Sequence, residues 1–217
     1  MANLFRLDRT ANTITLGATS TVTTSKETLN HNGTATFGDG GTTNYTKIDS
    51  TGDVTFVGSG GLAYASMFTN ADIAVTLTTK DVWYEIDAAQ AWTTGKVHNC
   101  TFTDPKITVT NAGTYLITYT VSAHVDANSQ EIEFGIMIDS TVTDSVAHGV
   151  AGMQAEGRSH RVYATLNDEG HQSGTAIIQL AAAKTISLAA RNTSTADDVV
   201  TVSHGNLTVI QIAGATA

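Results

Sequence analysis

The sequence predicts an all-β protein built as a sandwich or barrel of antiparallel strands. Threonine, valine and glycine are abundant, charged residues make up 14% of the chain, and Pro105 is its one proline. This composition favours strands over helices, because β-branched residues suit a pleated sheet and the helix formers Lys and Glu are scarce. Apolar-alternating runs recur about every eight to twelve residues in the C-terminal two-thirds, separated by Gly, Asn and Asp turns.

The stretch from Lys106 to His124 is the clearest part of the predicted sheet. Ile107 and Val109 alternate with threonines, and an Asn-Ala-Gly turn then leads into a second, longer run. On that run one face carries Tyr115, Ile117, Tyr119, Val121 and Ala123. Since it favours β structure at nearly every position, we expect this strand at the centre of a sheet.

Further strands are predicted on both sides of these two strands. The run from Glu131 to Asp139 alternates strictly between apolar residues and others. Other predicted strands are Ile73 to Thr79, Val82 to Ile86, Val97 to Phe102, Ser159 to Leu166, Ser173 to Leu180, Thr185 to Asn192, Val199 to Ser203 and Asn206 to Ile212. We expect a short helical turn from Leu62 to Asn70 and a turn from Trp92 to Gly95. The longest stretch without strand character runs from Ser140 to Arg158, where loop-borne function is expected.

The first 61 residues differ from the rest. They hold three short β-like runs, Asn12 to Leu16, Thr34 to Phe37 and Asp53 to Val57, each followed by glycine. These runs are too sparse in apolar residues to bury a core alone, so the segment gains order by packing on identical copies or on another protein. A flexible tail is the alternative. The Ser-Gly-Gly hinge at 59–61 divides the chain into an attachment or oligomerisation segment, 1–61, and a C-terminal domain, 62–217.

Charge and cysteine content limit the classes of partner. A net charge of −9 argues against nucleic acid and against anionic membranes, since both require clustered Lys and Arg. Cys100 is the single cysteine, so no intrachain disulfide is available, and a reducing cytoplasm is the expected site of assembly. Met1 to Thr10 has no apolar signal-like run.

No motif in the sequence predicts catalysis, a cofactor or a metal. The histidines lack the close spacing of a metal site: they are His31, His98, His124, His148, His160, His171 and His204. There is no Gly-x-Ser-x-Gly elbow and no phosphate-binding loop. Spacing leaves open a paired-carboxylate hydrolase, but aromatic platforms for sugars are scarce. We expect a protein that is not an enzyme.

The run from Asp104 to Ile117 resembles the C1q/TNF-like family of trimeric jelly rolls. In that family an apolar strand meets a short turn and then a Gly-x-Tyr-apolar strand, as at Gly113-Thr114-Tyr115-Leu116. The segments from Gly174 to Leu180, from Lys184 to Arg191 and from Asn206 to Ile212 resemble its last strands. The resemblance covers roughly residues 72 to 213 and implies an antiparallel jelly-roll sandwich that forms a homotrimer.

The Thr- and Gly-rich segment resembles the N-terminal regions of bacteriophage head-fibre, decoration and tail-fibre proteins. The two resemblances together imply a trimeric capsid decoration (cement) or head-fibre protein on the virion surface, assembled in the host cytoplasm. Its partner would be the major capsid protein or another virion protein, bound through residues 1–61. The alternative is a receptor- or glycan-binding tip of a tail fibre or adhesin, whose partner is a host surface glycan.

Two groups of residues are candidates for these contacts. Leu116 and Met137 lie opposite the main apolar rows of their strands, so a neighbouring copy is the expected cover; with Tyr119 they form the predicted trimer interface. Trp92, in a turn-like context, is the exposed aromatic expected to stack on a glycan. His148 and Arg158, from the long loop, complete the predicted binding residues.

Overall fold

A computed structural model of the chain describes residues 62–87, 92–139, 147–148 and 152–214, together with the backbone of five short strands before residue 62. Those five are β1 (Phe5–Asp8), β2 (Thr13–Leu16), β3 (Ala35–Gly38), β4 (Tyr45–Ile48) and β5 (Val54–Val57). β1 pairs with β2, and β4 pairs with both β3 and β5, all antiparallel. The predicted runs coincide with β2, β3 and β5, whereas sequence analysis does not find β1 or β4. The domain boundary near residue 61 stays a prediction.

Thirteen further strands follow residue 62 in the described part of the chain. They are β6 (Tyr64–Thr69), β7 (Ile73–Leu77), β8 (Trp83–Glu85), β9 (Thr93–His98), β10 (Cys100–Thr103), β11 (Lys106–Val109), β12 (Gly113–Val125), β13 (Gln130–Ile138), β14 (Ala147–His148), β15 (Ser159–Tyr163), β16 (Gly170–Leu180), β17 (Thr185–Asn192) and β18 (Asp198–Gly214). No helix in the described residues has the length and apolar character needed to cross a bilayer.

These strands form two antiparallel sheets. Sheet I has the order β10-β11-β17-β13-β15, with β8 paired to β17 and β14 paired to β8. Sheet II has the order β16-β12-β18-β6-β9, with β7 paired to the first half of β18. From β11 onward the chain crosses repeatedly between the sheets, as in a jelly roll. The predicted all-β, antiparallel jelly-roll sandwich is confirmed.

The core lies between the two sheets. On β12 the predicted face, from Tyr115 to Ala123, is buried at every alternate residue, and the strand lies between β16 and β18. From sheet I, Ile132, Phe134 and Ile136 of β13 face it in the same cluster. The central position predicted for this strand is therefore confirmed: it has a paired strand on each side, and its apolar face packs against the opposite sheet.

Two local predictions are wrong. The segment expected to be a helical turn is strand β6, in which Ala65 and Met67 are buried and the backbone pairs with both β18 and β9. The segment expected to be a turn after Trp92 opens strand β9. In both cases pairing with distant strands decides the local structure. The pairing satisfies backbone N–H and C=O groups that would lack hydrogen-bond partners at the sheet edge if the segment formed a local turn.

The two strands predicted between Val199 and Ile212 form one strand, β18. Its first half pairs with β7 and its second half with β6. Buried residues change from Val200 and Val202 to Leu207 and Val209, a switch from even to odd positions. The register shift opposite, between Ser122 and Ala123, accounts for the switch, since an extra residue turns the strand over.

Candidate functional site

Large apolar side chains form a continuous row across the outer face of sheet II. Strand register places Leu116 of β12 beside Ile177 of β16 and Ile210 of β18, and Ile210 beside Tyr64 of β6. Ile177 is 57% exposed, Tyr64 44% and Ile210 39%, whereas Leu116 is half-buried between its neighbours. Directly paired residues share one face of a sheet, so these four side chains, which we call the apolar row, are in lateral contact range.

The apolar row continues toward the edge strand β9. The Tyr64 ring stacks on the ring of His98, with centroids 5.5 Å apart. Tyr64 and Ile210 also border a shallow depression of about 280 Å³ whose rim includes Lys96. Ile212, two residues further along β18, is exposed as well. A contiguous apolar surface of this kind is typical of an association site rather than of a surface that stays in water.

One apolar cluster on the outer face of sheet I is covered by the chain itself. Trp83, Met137, Met153 and Ala189 form a buried cluster separate from the main core. Met153 belongs to the segment 152–158, which lies over β13: the Gln154 backbone N–H donates to the Ile136 carbonyl at 3.0 Å. This face therefore needs no neighbouring copy to keep the cluster dry.

Two arginines lie against the ring of Trp83. The guanidinium carbon of Arg191 is 4.9 Å from the ring centroid, and that of Arg158 is 5.3 Å away. Arg191 also forms an ion pair with Glu133 at 2.7 Å, while Arg158 is exposed and donates from Nε to the Gln154 carbonyl. These cation–π contacts close the surface over the buried indole.

The predicted interface residues lie in three different environments. Leu116 lies on the outer face of sheet II, within the apolar row. Met137 lies on the outer face of β13, as expected, but other residues of its own chain cover it. Tyr119 lies inside the sandwich and is fully buried. The placement of Met137 and Tyr119 on a surface for another copy is thus corrected, since neither side chain reaches the exterior.

The predicted binding residues are only partly brought together. Arg158 lies over Trp83, and His148 lies in β14, directly opposite Trp83 in the strand pairing. The expectation that Trp92 is exposed is wrong: its ring is 4% exposed, and its indole N–H donates to the Ile86 carbonyl at 2.8 Å. The ring packs directly over Gly205, where a Cβ atom would collide with it. A ligand-binding role for His148 and Arg158 stays a prediction.

A buried chain of polar groups joins the two sheets. The Tyr119 hydroxyl donates to the Phe134 carbonyl at 3.0 Å and lies 2.8 Å from Ser159 Oγ. Ser159 Oγ donates to Gln172 Oε1, and Gln172 Nε2 donates to the Tyr163 hydroxyl. Burial raises the pKa of Tyr119 to about 12, so the phenol stays protonated at neutral pH. The network holds the sheets together and supplies no base.

The single cysteine of the chain is also buried. Burial raises the pKa of the Cys100 thiol to about 11, which keeps it protonated and unreactive. Within the described residues, no three His, Cys, Asp or Glu side chains lie close enough to hold a metal ion.

The predicted interface keeps Leu116 and gains Ile177, Ile210 and Tyr64. A period-two reading of β18, on which Ile210 and Ile212 alternate with buried residues, could have found Ile210.

Comparison with protein-family models and with curated proteins found no match. Among solved structures, the chain is similar to Eiger TNF from S. frugiperda, with 16% identity over 72% of this chain and 97% of that chain and a TM-score of 0.47. It is also similar to murine APRIL, with 10% identity over 70% of this chain and 100% of that chain and a TM-score of 0.44. The jelly-roll fold follows from the strand order itself, in which the chain crosses repeatedly between two antiparallel sheets.

Proposed function

We propose that this protein is a non-enzymatic homotrimer on the surface of a virion, a capsid decoration or head-fibre protein that displays its jelly roll. The observation that carries the trimer is the apolar row on sheet II. Fully burying a large aliphatic or aromatic side chain contributes about 1.5–3 kcal/mol, and each copy offers several partly exposed ones. Three copies around a threefold axis bury the row of every copy with one repeated contact.

The attachment role belongs to residues 1–61. In the described part of the chain, all members of the sandwich core lie between Ala63 and Val209. The sandwich therefore has its own core, which leaves the Thr- and Gly-rich segment available for another surface. Its resemblance to the N-terminal regions of phage head-fibre and decoration proteins supports the major capsid protein, or another virion protein, as that partner.

The first test is the mass of the full chain in solution, measured by light scattering over a range of concentrations. We expect three times the mass of 22.7 kDa expected for one chain. A monomer that persists at high concentration would overturn the trimer.

The second test is particle binding by the full chain and by a variant that lacks residues 1–61. We expect co-sedimentation with capsids from the full chain alone, while circular dichroism and light scattering show that the shortened variant stays folded and trimeric. Capsid binding that survives the deletion would contradict the attachment role.

A further inference from the structure

The outer face of sheet II changes from apolar to polar along β12. Ser122 lies six residues beyond Leu116, about 20 Å along the strand. Strand register places His171 of β16 on one side of Ser122 and His204 of β18 on the other. Two of the seven histidines, far apart in the sequence, thus meet on one surface. This surface belongs neither to the apolar row nor to the Trp83 cluster.

A depression of about 340 Å³ opens beside these residues. Phe68 contributes an aromatic ring, and the other side chains that argue for a ligand are amides, a hydroxyl and imidazoles: Asn70, Thr120, His171, His204 and Asn206. None of the described residues that line it is Asp, Glu, Lys or Arg. In a chain with a net charge of −9, a recess without Asp, Glu, Lys or Arg is a distinct local environment.

Most of these polar groups are available to a ligand. Ser122 Oγ is hydrogen-bonded to His171 Nδ1 at 2.7 Å, which fixes the imidazole and leaves its Nε2 edge for other contacts. Asn206 Oδ1 accepts from Thr208 Oγ1, so the amide N–H₂ of Asn206 can still donate. Within the described residues, the side chains of Asn70 and Thr120 make no hydrogen bond to other groups of the protein.

We propose that this depression binds one sugar unit of a neutral glycan. Sugar hydroxyls both donate and accept hydrogen bonds, and the amide, hydroxyl and imidazole groups around the depression do the same. Phe68 supplies an apolar surface for the C–H face of a pyranose ring. The volume is at the small end of ligand pockets, about 300–1,000 Å³, and suits one ring rather than a long chain. Without a fixed cation, the depression does not favour an anionic ligand.

This inference goes beyond the proposed structural role and does not depend on it. The lining residues Phe68, Thr120 and Asn206 lie four residues along their strands from the apolar row, about 13 Å, so assembly and binding involve separate side chains. The depression is not lined by Trp92, His148 or Arg158, the residues expected to bind a glycan from the sequence: the Trp92 ring lies against Gly205 but is buried in the core. The two hypotheses therefore respond to different substitutions.

The test is ligand-observed saturation-transfer NMR of the full chain with the methyl glycosides of glucose, galactose, mannose and N-acetylglucosamine. We expect saturable binding of at least one in the millimolar range usual for a single small ligand, about −4 kcal/mol. Thr120→Val and Asn70→Ala should each weaken it about fivefold, the loss expected for one hydrogen bond of about 1 kcal/mol. Thr101→Val, at an exposed threonine on β10 of sheet I, is the matched control and should leave binding unchanged.

Several results would overturn the proposal. These are no saturable binding of any glycoside, equal weakening by Thr101→Val and Thr120→Val, or competition by sulfate or Zn²⁺ that shows an anion or metal site instead. Light scattering on the same samples separates the two proposals: an unbound trimer contradicts only the sugar site, and a sugar-binding monomer contradicts only the trimer.

Discussion

The hydroxyl of Tyr119 shows how much one buried atom contributes to the sandwich. It belongs to sheet II and bonds to Phe134 and Ser159 of sheet I. Tyr119→Phe keeps the ring and leaves the buried Phe134 carbonyl without its donor. We expect a loss of about 1–2 kcal/mol in the free energy of unfolding, measured in urea. Tyr64→Phe, at an exposed ring, should change it by less than about 0.5 kcal/mol. Equal losses for the two variants would show that the cross-sheet bond contributes nothing.

The carboxylate of Asp198 makes stability depend on pH. Burial raises its pKa, and the charge of Asp126 adds to this, against hydrogen bonds from Val199 and Asn192. The folded state therefore holds the proton more tightly than the unfolded chain does. From about pH 3.9 upward, until the pH passes the raised pKa, this group's contribution to stability falls as pH rises.

Asp198→Asn should remove that contribution while an amide oxygen still accepts from Asn192. In urea titrations from pH 3.5 to pH 7, stability of the variant should therefore fall less, or rise more, with pH than stability of the original chain. Asp197→Asn, at the exposed neighbouring residue, is the control and should follow the original chain. Parallel curves for Asp198→Asn and the original chain would contradict the assignment.

At the level of strands, β16 depends on a close approach at Gly174. A Cβ atom there would collide with the carbonyl oxygen of Gly157 and with the Tyr119 ring. The Gly157 oxygen belongs to the backbone and the Tyr119 ring is packed in the core, so neither can move without a large energetic cost. Gly174→Ala should therefore lower the free energy of unfolding by about 1–3 kcal/mol. Gly214→Ala, where a Cβ atom would meet nothing, should lie close to the original value in the same urea titration. A stable Gly174→Ala variant would show that segment 152–158 packs less tightly on β16.

Strand β18 shows why element boundaries escape the sequence. Ser203, His204 and Gly205 interrupt its apolar alternation, and locally this is the pattern of a turn. The chain nevertheless stays extended, because β12 runs alongside with a compensating register shift. A partner strand some eighty residues away in the chain thus decides the conformation.

At the level of the whole molecule, the apolar row predicts which substitution would dissociate the proposed trimer. Ile177→Lys places a charge at the most exposed residue of the row and should weaken association at least tenfold, about 1.4 kcal/mol. Val162→Lys is the matched control: Val162 is 56% exposed, but lies on β15 of sheet I. Sedimentation equilibrium should show dissociation for the first variant alone. Dissociation by Val162→Lys, with Ile177→Lys still trimeric, would move the interface to sheet I.

The sequence by itself determined the fold class, the strand β12 with its buried face and the strands β11, β13 and β17. The two strands joined by the Asn-Ala-Gly turn, β11 and β12, lie in different sheets and do not pair with each other, so they are not a β-hairpin. Their signals are local, since period-two alternation and turn residues act within one strand and its connection. Only the tertiary structure decided which outward apolar residues are covered. Met137 and Leu116 have similar sequence patterns. In the structure Met153 of the segment 152–158 packs with Met137, whereas Leu116 lies on the outer face of sheet II. Whether an outward apolar side chain is covered depends on contacts between segments distant in the chain, and a local sequence pattern does not encode those contacts.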